Sequence, residues 1–285
     1  IDIFRVFDCL NQPNKMALAI EEIKKSSAIA EITICYTGDV SDPSRSKYDL
    51  LYYKNLAKKL SSYGADILCI KDMAGLLKPQ AASILIDAIK QSCELPIHLH
   101  THDTSGTGVA MLLKAAEAGC DIVDGAVSSM SGLTSQPSLN AIIASLKGLE
   151  RETSLPLQVV DYLARYWEQV RAQYQVFDPG IKATSTDVYF HEIPGGQYSN
   201  LYEQARKVGL SADDFYELTN RYHEVNSLFG DIIKVTPSSK VIGDMALLLQ
   251  KHGLTGPEYL AKKPQLDYPD SVMSFVHGEM GEPTG

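Results

Sequence analysis

Short apolar runs recur through the first half of the chain, and each is followed by a helical pattern. The runs have the length of strands and lie at residues 3–7, 31–36, 66–70, 96–100 and 121–127. They are about 30 residues apart, and strands that alternate with helices at this spacing form parallel βα units. The repeat therefore predicts a parallel sheet covered by helices.

The intervening segments carry amphipathic helix patterns. Apolar residues three or four positions apart define one helix face, and a Gly just past the last turn is a typical stop signal. Two such faces are Tyr52, Leu56, Leu60 and Tyr63 before Gly64, and Val109, Leu112, Leu113 and Ala116 before Gly119.

Two architectures accommodate parallel βα units: an open doubly wound sheet and a closed (β/α)8 barrel. A dinucleotide-binding sheet carries a glycine-rich phosphate loop after a strand, and neither GxGxxG nor GxxxxGK[ST] occurs here. Polar residues instead follow successive strands, as at the active-site face of a barrel. They are Arg5, Asp8, Thr37, Asp39, Lys71, Asp72, His100, His102 and Ser128. We predict a partial TIM barrel in residues 1–150, with about three further strands expected before Ile1.

The second half of the chain has a different pattern. Helix patterns cover residues 140–149, 161–174, 198–208, 213–228 and 239–252, and no convincing strand lies among them. The loop 177–196 is rich in Gly, Pro and Thr and is long enough to suggest a function. We predict that residues 151–285 form a helical extension that covers the barrel mouth.

Charge and cysteine content narrow the possible partners and compartments. A net charge of −9 disfavours a nucleic-acid surface, and no run of about 18 apolar residues suggests a membrane span. The five cysteines are odd in number, have no CxxC spacing and lie mostly beside apolar runs, where Cys packs as a small hydrophobe. We expect reduced thiols in the cytoplasm, or in the mitochondrial matrix if the source is eukaryotic.

The most specific local pattern is His98-Leu99-His100-Thr101-His102-Asp103. Side chains two positions apart on a strand share a face, so His100 and His102 can converge on one point, as metal-binding imidazoles must. The alternative is that both are hydrogen-bonded packing residues. His98 lies deeper on the same face, which favours a packing or supporting role.

Lys71 ends the preceding apolar run and is expected to project into the barrel mouth beside the histidines. Its simplest role is that of a lysine reaching solvent from a strand end. A protonated amine cannot bind a metal. A metal-binding role therefore requires a neutral amine or a carbamate.

The third pattern is Val235-Thr236-Pro237-Ser238-Ser239-Lys240, just before an apolar-periodic helix. Ser238 is expected to cap this helix, with Pro237 shaping its entry. Thr236 is not needed for capping, so its hydroxyl is available for another task.

These patterns, taken in order, resemble the carboxyltransferase barrel of the biotin-dependent pyruvate carboxylase family. Its relatives include the oxaloacetate decarboxylase α subunit and the transcarboxylase 5S subunit. The resemblance covers essentially the whole chain. It is carried by the residues 1–8, 36–39, 71–75 and 100–106, and the segments 191–198, 236–244 and 268–272 look most like pyruvate carboxylase itself.

The resemblance implies carboxyl transfer from carboxybiotin to pyruvate, giving oxaloacetate. His100, His102 and an N-carboxylated Lys71 would bind zinc or manganese. Thr236 would pass a proton between pyruvate and biotin, and Ser239 would lie near the biotin ureido group. Arg5 and Asp8 are weaker candidates for lining the site.

The resemblance also implies parts that this chain does not match. The family's aspartate metal ligand and substrate-binding arginine lie on the first and third barrel strands, and the biotin carrier and the ATP site lie in other regions. The isolated chain is therefore expected to be inactive and poorly soluble. The full-length protein is expected to be a homo-oligomer, a tetramer, in which the carrier domain of the same or a neighbouring chain delivers biotin.

Three alternatives remain open at this point. A decarboxylase or transcarboxylase subunit would run the same half-reaction. A metal-dependent aldolase or condensing enzyme of the same barrel group would use the two histidines without the lysine. A barrel fragment without activity would serve assembly alone.

Overall fold

The computed structural model describes residues 1–207 and 209–283. Five strands form a parallel sheet in sequential order, so each strand pairs with the next one along the chain. This is the partial α/β barrel that the repeat predicts. The strands are β1 (Ile3–Val6), β2 (Ile29–Cys35), β3 (Ile67–Asp72), β4 (Ile97–Thr101) and β5 (Ile122–Val123).

The described part of the chain contains twelve α-helices. Four of them connect successive strands: α1 (Pro13–Lys25), α2 (Leu50–Ser61), α3 (Pro79–Lys90) and α4 (Gly108–Glu117). The other eight follow the last strand: α5 (Leu139–Leu146), α6 (Leu157–Gln173), α7 (Val188–His191), α8 (Gly195–Lys207), α9 (Ala212–Leu228), α10 (Ser238–Lys251), α11 (Gly256–Lys262) and α12 (Asp270–Val276). The helix expected at 198–208 corresponds to α8, and Val208 lies outside the described residues.

The three central strands are buried because helices cover one of their faces. Ile32, Leu68 and Leu99 are fully buried on β2, β3 and β4. The outer strands are more open: Phe4 on β1 and Ile122 on β5 are exposed, and β1 pairs only with β2 within the described residues. Because parallel strands end at the same edge, the register pairs Lys71 with His100 at the carboxyl end of the sheet.

The fifth strand is shorter than the predicted 121–127. The chain leaves the sheet after Val123, and Ala126 forms an isolated bridge with Ser138 instead. The Ala126 N–H donates to Pro137 O at 3.0 Å, and its carbonyl accepts from Leu139 N at 2.7 Å. These backbone groups are therefore unavailable to a longer parallel ladder.

Local signals account for several helix starts. The Asp49 side chain caps α2 by accepting from Tyr52 N, and a capping box at Ser211 and Asp214 begins α9. Pro13 and Pro79 lie in the first turns of α1 and α3, where their missing N–H has no helical partner to lose.

All five cysteines are buried and unpaired with one another, as their spacing predicted. None of the helices in residues 1–207 and 209–283 combines the length and apolar character needed to cross a membrane.

Candidate functional site

His102 lies just beyond β4 and is held in one orientation. Its Nδ1 is 2.6 Å from the carbonyl oxygen of Thr134. A carbonyl oxygen only accepts, so Nδ1 carries the proton and Nε2 presents a lone pair. Burial lowers the pKa of His102 to about 4, with the nearby His100 and Lys71 contributing to the shift. His102 is thus a neutral imidazole suited to bind a metal through Nε2.

His100 is oriented in the same way as His102, but by a carboxylate instead of a backbone carbonyl. Its Nδ1 is 2.7 Å from Asp124 Oδ2, which leaves Nε2 free of that contact. The two imidazole rings lie edge to face with their centroids 5.3 Å apart. A carboxylate or carbonyl behind each imidazole is the usual support of a metal-binding histidine.

Asp124 connects the histidines to the interior of the sheet. Its Oδ1 lies 2.8 Å from His98 Nε2, and Oδ2 also receives Arg5 Nη1 at 3.2 Å. Burial alone would raise the pKa of Asp124. Hydrogen bonds from His100 and His98 outweigh that effect and hold the pKa well below its usual range. Asp124 is therefore an anion that fixes the orientation of both rings.

Glu31 completes this cluster from β2. Its carboxylate contacts Arg5 and lies 2.8 Å from His98 Nδ1, so both nitrogens of His98 face carboxylates. Burial lowers the pKa of His98, but the hydrogen bonds to Asp124 and Glu31 raise it to about 9 overall. His98 is thus a buried cation that packs below His100 and His102.

Asp124 and Glu31 were not among the residues that the sequence patterns identified. Glu31 was detectable as a charge within the apolar run 31–36, and Asp124 as a carboxylate near the end of the run 121–127. Neither charge, read from the sequence alone, indicates which side chains the carboxylate contacts in the fold.

Lys71 lies beside the histidines, on the adjacent strand and in register with His100. Its Nζ is 3.8 Å from the centroid of the Phe7 ring. Burial lowers the pKa of Lys71, which increases the fraction of neutral amine at a given pH. Residues 1–207 and 209–283 contain no cluster of three or more His, Cys, Asp or Glu side chains fit to hold a metal.

Two other candidate residues, Asp8 and Asp72, accept hydrogen bonds from backbone N–H groups. Asp8 accepts from Leu10 N at 2.9 Å and from Gln12 N at 3.0 Å, which holds the turn into α1. Asp72 is fully buried and accepts from three successive backbone N–H groups, on Gly75, Leu76 and Leu77. Arg5 is engaged by Glu31 and Asp124.

The segment 235–239 reaches the sheet near the end of β1. The thiol of Cys9, which follows β1, lies in hydrogen-bonding range of the Ser238 backbone. Thr236 is exposed, whereas Val235 and Ser239 are buried. The Ser239 carbonyl accepts from Tyr222 OH at 3.4 Å. Thr236 is therefore an exposed residue that directly follows a buried one.

The predicted cap at Ser238 is wrong. Helix α10 begins at Ser238 itself, Pro237 occupies the cap position, and no side chain caps the helix. The Ser238 hydroxyl is buried and lies 2.6 Å from Ile233 O and 2.7 Å from Val235 O. The Ser238 hydroxyl therefore bonds back to the preceding loop, and it also accepts from Val235 N at 3.2 Å.

The loop that leads into α8 ends at Gly195, the first residue of this helix, which packs against His102. A Cβ added to Gly195 would lie 2.6 Å from His102 Nδ1 and 2.8 Å from Thr134 O. The Gly195 N–H donates to Met73 O at 2.9 Å. A cavity of about 210 Å³ adjoins this loop, with Thr104, Thr134, His191, Tyr198 and Phe215 in its wall. The helical half of the chain therefore directly contacts the side of the sheet that carries His102.

Comparisons with known families cover most of the chain. A family model described as HMGL-like matches residues 12–165, and one described as a conserved carboxylase domain matches residues 188–285.

Curated relatives match along the entire chain. It is 52% identical to a Bacillus subtilis pyruvate carboxylase over 285 residues and 48% identical to the mitochondrial human pyruvate carboxylase over 288 residues. Each match covers 100% of this chain but only 25% and 24% of the relative, so the chain spans about a quarter of their length.

Solved structures give the same result. The carboxyltransferase domain of Rhizobium etli pyruvate carboxylase superposes with a TM-score of 0.96 at 47% identity, covering 99% of this chain and 47% of that one. A structure of the same domain with pyruvate and biocytin superposes equally well, with the same identity and coverage. The chain belongs to the pyruvate carboxylase family and corresponds to part of its carboxyltransferase domain.

Proposed function

We propose that this chain contributes to a carboxyltransferase centre that moves a carboxyl group from carboxybiotin to pyruvate and so forms oxaloacetate. The observation that carries the proposal is the arrangement of His100 and His102. Each uses Nδ1 for a hydrogen bond to an acceptor, and both lie beside Lys71. Two oriented imidazoles next to a partly desolvated amine fit a metal-assisted reaction.

The metal ligands from this chain would be His100, His102 and Lys71. Both histidines fit because their Nε2 atoms lack the hydrogen bonds that Nδ1 makes. A divalent zinc or manganese ion, with an aspartate from a preceding barrel strand, would stabilise the negative charge that develops on an enolate.

Lys71 would take part as a carbamate. A neutral lysine amine attacks the carbon of CO2, forms an N–C bond and releases one proton, which leaves an anionic carboxylate on Nζ. Burial favours the neutral amine that this reaction needs. The carbamate would then supply the oxygen ligand that the positively charged amine cannot.

Thr236 would transfer the proton. Its exposed hydroxyl, at the start of α10, would receive a proton from the methyl carbon of pyruvate and pass its own proton to biotin. Ser239, one turn further along, would lie near the biotin ureido group. A single positioned proton-transfer group typically contributes about 10²- to 10⁴-fold to a rate.

The partners follow from the same reaction. Biotin would arrive on a carrier domain of the same or a neighbouring chain, and ATP would act at a separate site of a full-length homo-oligomer. Residues 1–150 would form the carboxyl-terminal part of the barrel, and residues 151–285 the helical cover of its mouth. The HMGL-like match at 12–165 and the conserved carboxylase match at 188–285 support this division.

The test is Thr236→Ala in the intact enzyme that carries this segment. Loss of oxaloacetate synthesis is expected, with bicarbonate-dependent ATP cleavage unchanged, because only the second half-reaction uses the hydroxyl. Thr153→Ala, at a half-buried threonine in the loop before α6, is the control and keeps both activities. Near-normal oxaloacetate synthesis by Thr236→Ala would remove Thr236 from the mechanism.

A further inference from the structure

A buried ion-pair cluster lies beside the segment that carries Thr236. We define the Glu192 cluster as Arg45, Glu192, Asp231 and Lys234. Glu192 and Lys234 are each 4% exposed. Lys234 Nζ lies 2.9 Å from Glu192 Oε2, and Arg45 Nη1 donates to Glu192 Oε1 at 2.7 Å. Within the described residues, Oε2 makes no well-directed hydrogen bond, and the carboxylate charge is compensated by the ammonium group of Lys234 and the guanidinium of Arg45.

Lys234 uses its ammonium group to fix its own backbone. Besides Glu192, Nζ lies 3.1 Å from Ile232 O and 3.3 Å from Asp231 Oδ1. The contacts to Ile232 O and Asp231 Oδ1 are hydrogen bonds, whereas the contact to Glu192 is an ion pair. The side chain therefore folds back on residues 231–232 and ties them to Glu192.

Further contacts hold the same segment from two other directions. Tyr48 OH, from the loop before α2, donates to Asp231 O at 2.8 Å. Asn226 Nδ2, from α9, donates to Asp231 Oδ1 at 2.7 Å. Thr236 follows Lys234 by two residues, so anchoring Lys234 limits where the exposed hydroxyl of Thr236 can lie.

Glu192 also belongs to the loop that packs on His102. It follows α7 in a left-handed conformation with φ 55°, and Gly195 is three residues further along. Gly195 contacts the His102 ring closely enough that a Cβ there would clash. The backbone of this loop thus contacts His102, and the side chain of Glu192 contacts Lys234, two residues before Thr236.

We propose that Glu192 is a positioning residue that sets the distance between Thr236 and the His100–His102 pair. The inference rests on the proposed function, because it assigns Thr236 as the group that moves the proton. Proton transfer requires heavy atoms within hydrogen-bond reach, and a misplacement of about 1 Å can reduce a rate about 10²-fold.

Stability alone does not account for such a cluster. A buried ion pair contributes little net stability compared with apolar side chains of similar volume, since desolvation offsets the Coulomb attraction. Its directed contacts instead select one geometry. Replacing the Glu192–Lys234 pair by uncharged side chains therefore separates a role in stability from a role in positioning. Such a variant can keep the fold while it loses the directed contacts.

The test compares Glu192→Gln with the double variant Glu192→Gln/Lys234→Met in the intact enzyme. The single variant removes the nearer counter-ion of buried Lys234 and leaves only Asp231, at 3.3 Å, which destabilises the fold. The double variant removes both charges and is expected to recover the parent's thermal midpoint. It is still expected to lower kcat for oxaloacetate synthesis about 10- to 100-fold. The KM for pyruvate, the metal content and bicarbonate-dependent ATP cleavage stay within about twofold of the parent.

Two additional variants complete the design. Glu224→Gln is the matched control, because Glu224 accepts from Gly256 N at 2.7 Å and contacts Arg221 away from the Thr236 segment. It lowers stability without changing kcat. Glu192→Asp keeps the negative charge but has a side chain one methylene shorter. This variant takes the place of Glu192→Gln/Lys234→Met if the double variant fails to fold. Its expected result is the same loss of kcat at constant KM.

The outcomes distinguish the two proposals. A parent enzyme that makes no oxaloacetate refutes the proposed function itself. If the parent is active, full kcat in the folded double variant, or in Glu192→Asp where that variant replaces it, overturns the positioning role. Equal losses in both half-reactions, or a loss of bound metal, also overturn it, since they indicate a general structural role.

Discussion

The Nδ1 atom of His100 lies 2.7 Å from Oδ2 of Asp124, and this contact determines which nitrogen of His100 faces the barrel mouth. Asp124 also binds His98 and Arg5, so one carboxylate orients a candidate metal ligand and contacts two cations, of which His98 is buried and Arg5 half-buried. The residue belongs to the last strand run, just where the chain leaves the sheet.

Asp124→Asn is expected to weaken metal binding about 10- to 100-fold, because the amide is a poorer acceptor for His100 Nδ1–H and lacks the negative charge. Metal titration of the metal-free intact enzyme measures this. Asp121→Asn is the control, since Asp121 bonds Lys90 and Ile97 N instead. Equal metal affinity in the parent and Asp124→Asn would show that this contact does not support the metal.

Gly195→Ala is expected to displace His102, since the new methyl group would lie 2.6 Å from Nδ1 and 2.8 Å from Thr134 O. Reduced metal occupancy and lower oxaloacetate synthesis should follow. Gly196→Ala provides a matched control one residue away, because a Cβ there meets nothing within 4 Å. If both variants behave like the parent, the loop moves freely and does not hold His102.

Lys71→Arg is expected to abolish oxaloacetate synthesis while keeping a positive charge, since a guanidinium does not form a carbamate at neutral pH. Carbon-13 NMR of the parent enzyme in labelled bicarbonate should show a carbamate resonance that is absent from Lys71→Arg. Lys78→Arg serves as the control, on a lysine that binds Asp39 instead. An active Lys71→Arg enzyme would contradict the carbamate.

Glu258 gives a pH-dependent prediction away from the site. Backbone and side-chain hydrogen bonds from Thr255, together with Lys262, lower the pKa of Glu258 to about 2, below its ordinary value of 4.5. A lowered folded-state pKa stabilises the fold above pH 4.5, and that contribution is lost as the pH falls toward 2. NMR titration of Glu258 should therefore give a midpoint near 2 in the parent. Thr255→Ala should raise it, and an unchanged midpoint would contradict the capping contribution.

The parallel sheet and the position of the polar residues could be predicted because both depend on local patterns. Alternating strands and helices fix parallel pairing, and parallel strands end at one edge, which brings Lys71 next to His100. The close approach of the helical half was harder to predict. Gly195 resembles an ordinary turn glycine, and only its contact with His102 shows why a side chain does not fit there.

The sequence by itself determined the βα repeat, the His100–His102 pair on one strand face and the family to which the chain belongs. The tertiary structure decided which partners those residues have. Asp124 meets His100 because β5 pairs with β4 in the register His98–Ile122 and Leu99–Val123. Ser238 bonds back to Ile233 rather than capping its helix. Hydrogen bonds of this kind depend on where separate segments come to lie in space, and the local periodicity of a sequence carries no information about that distance.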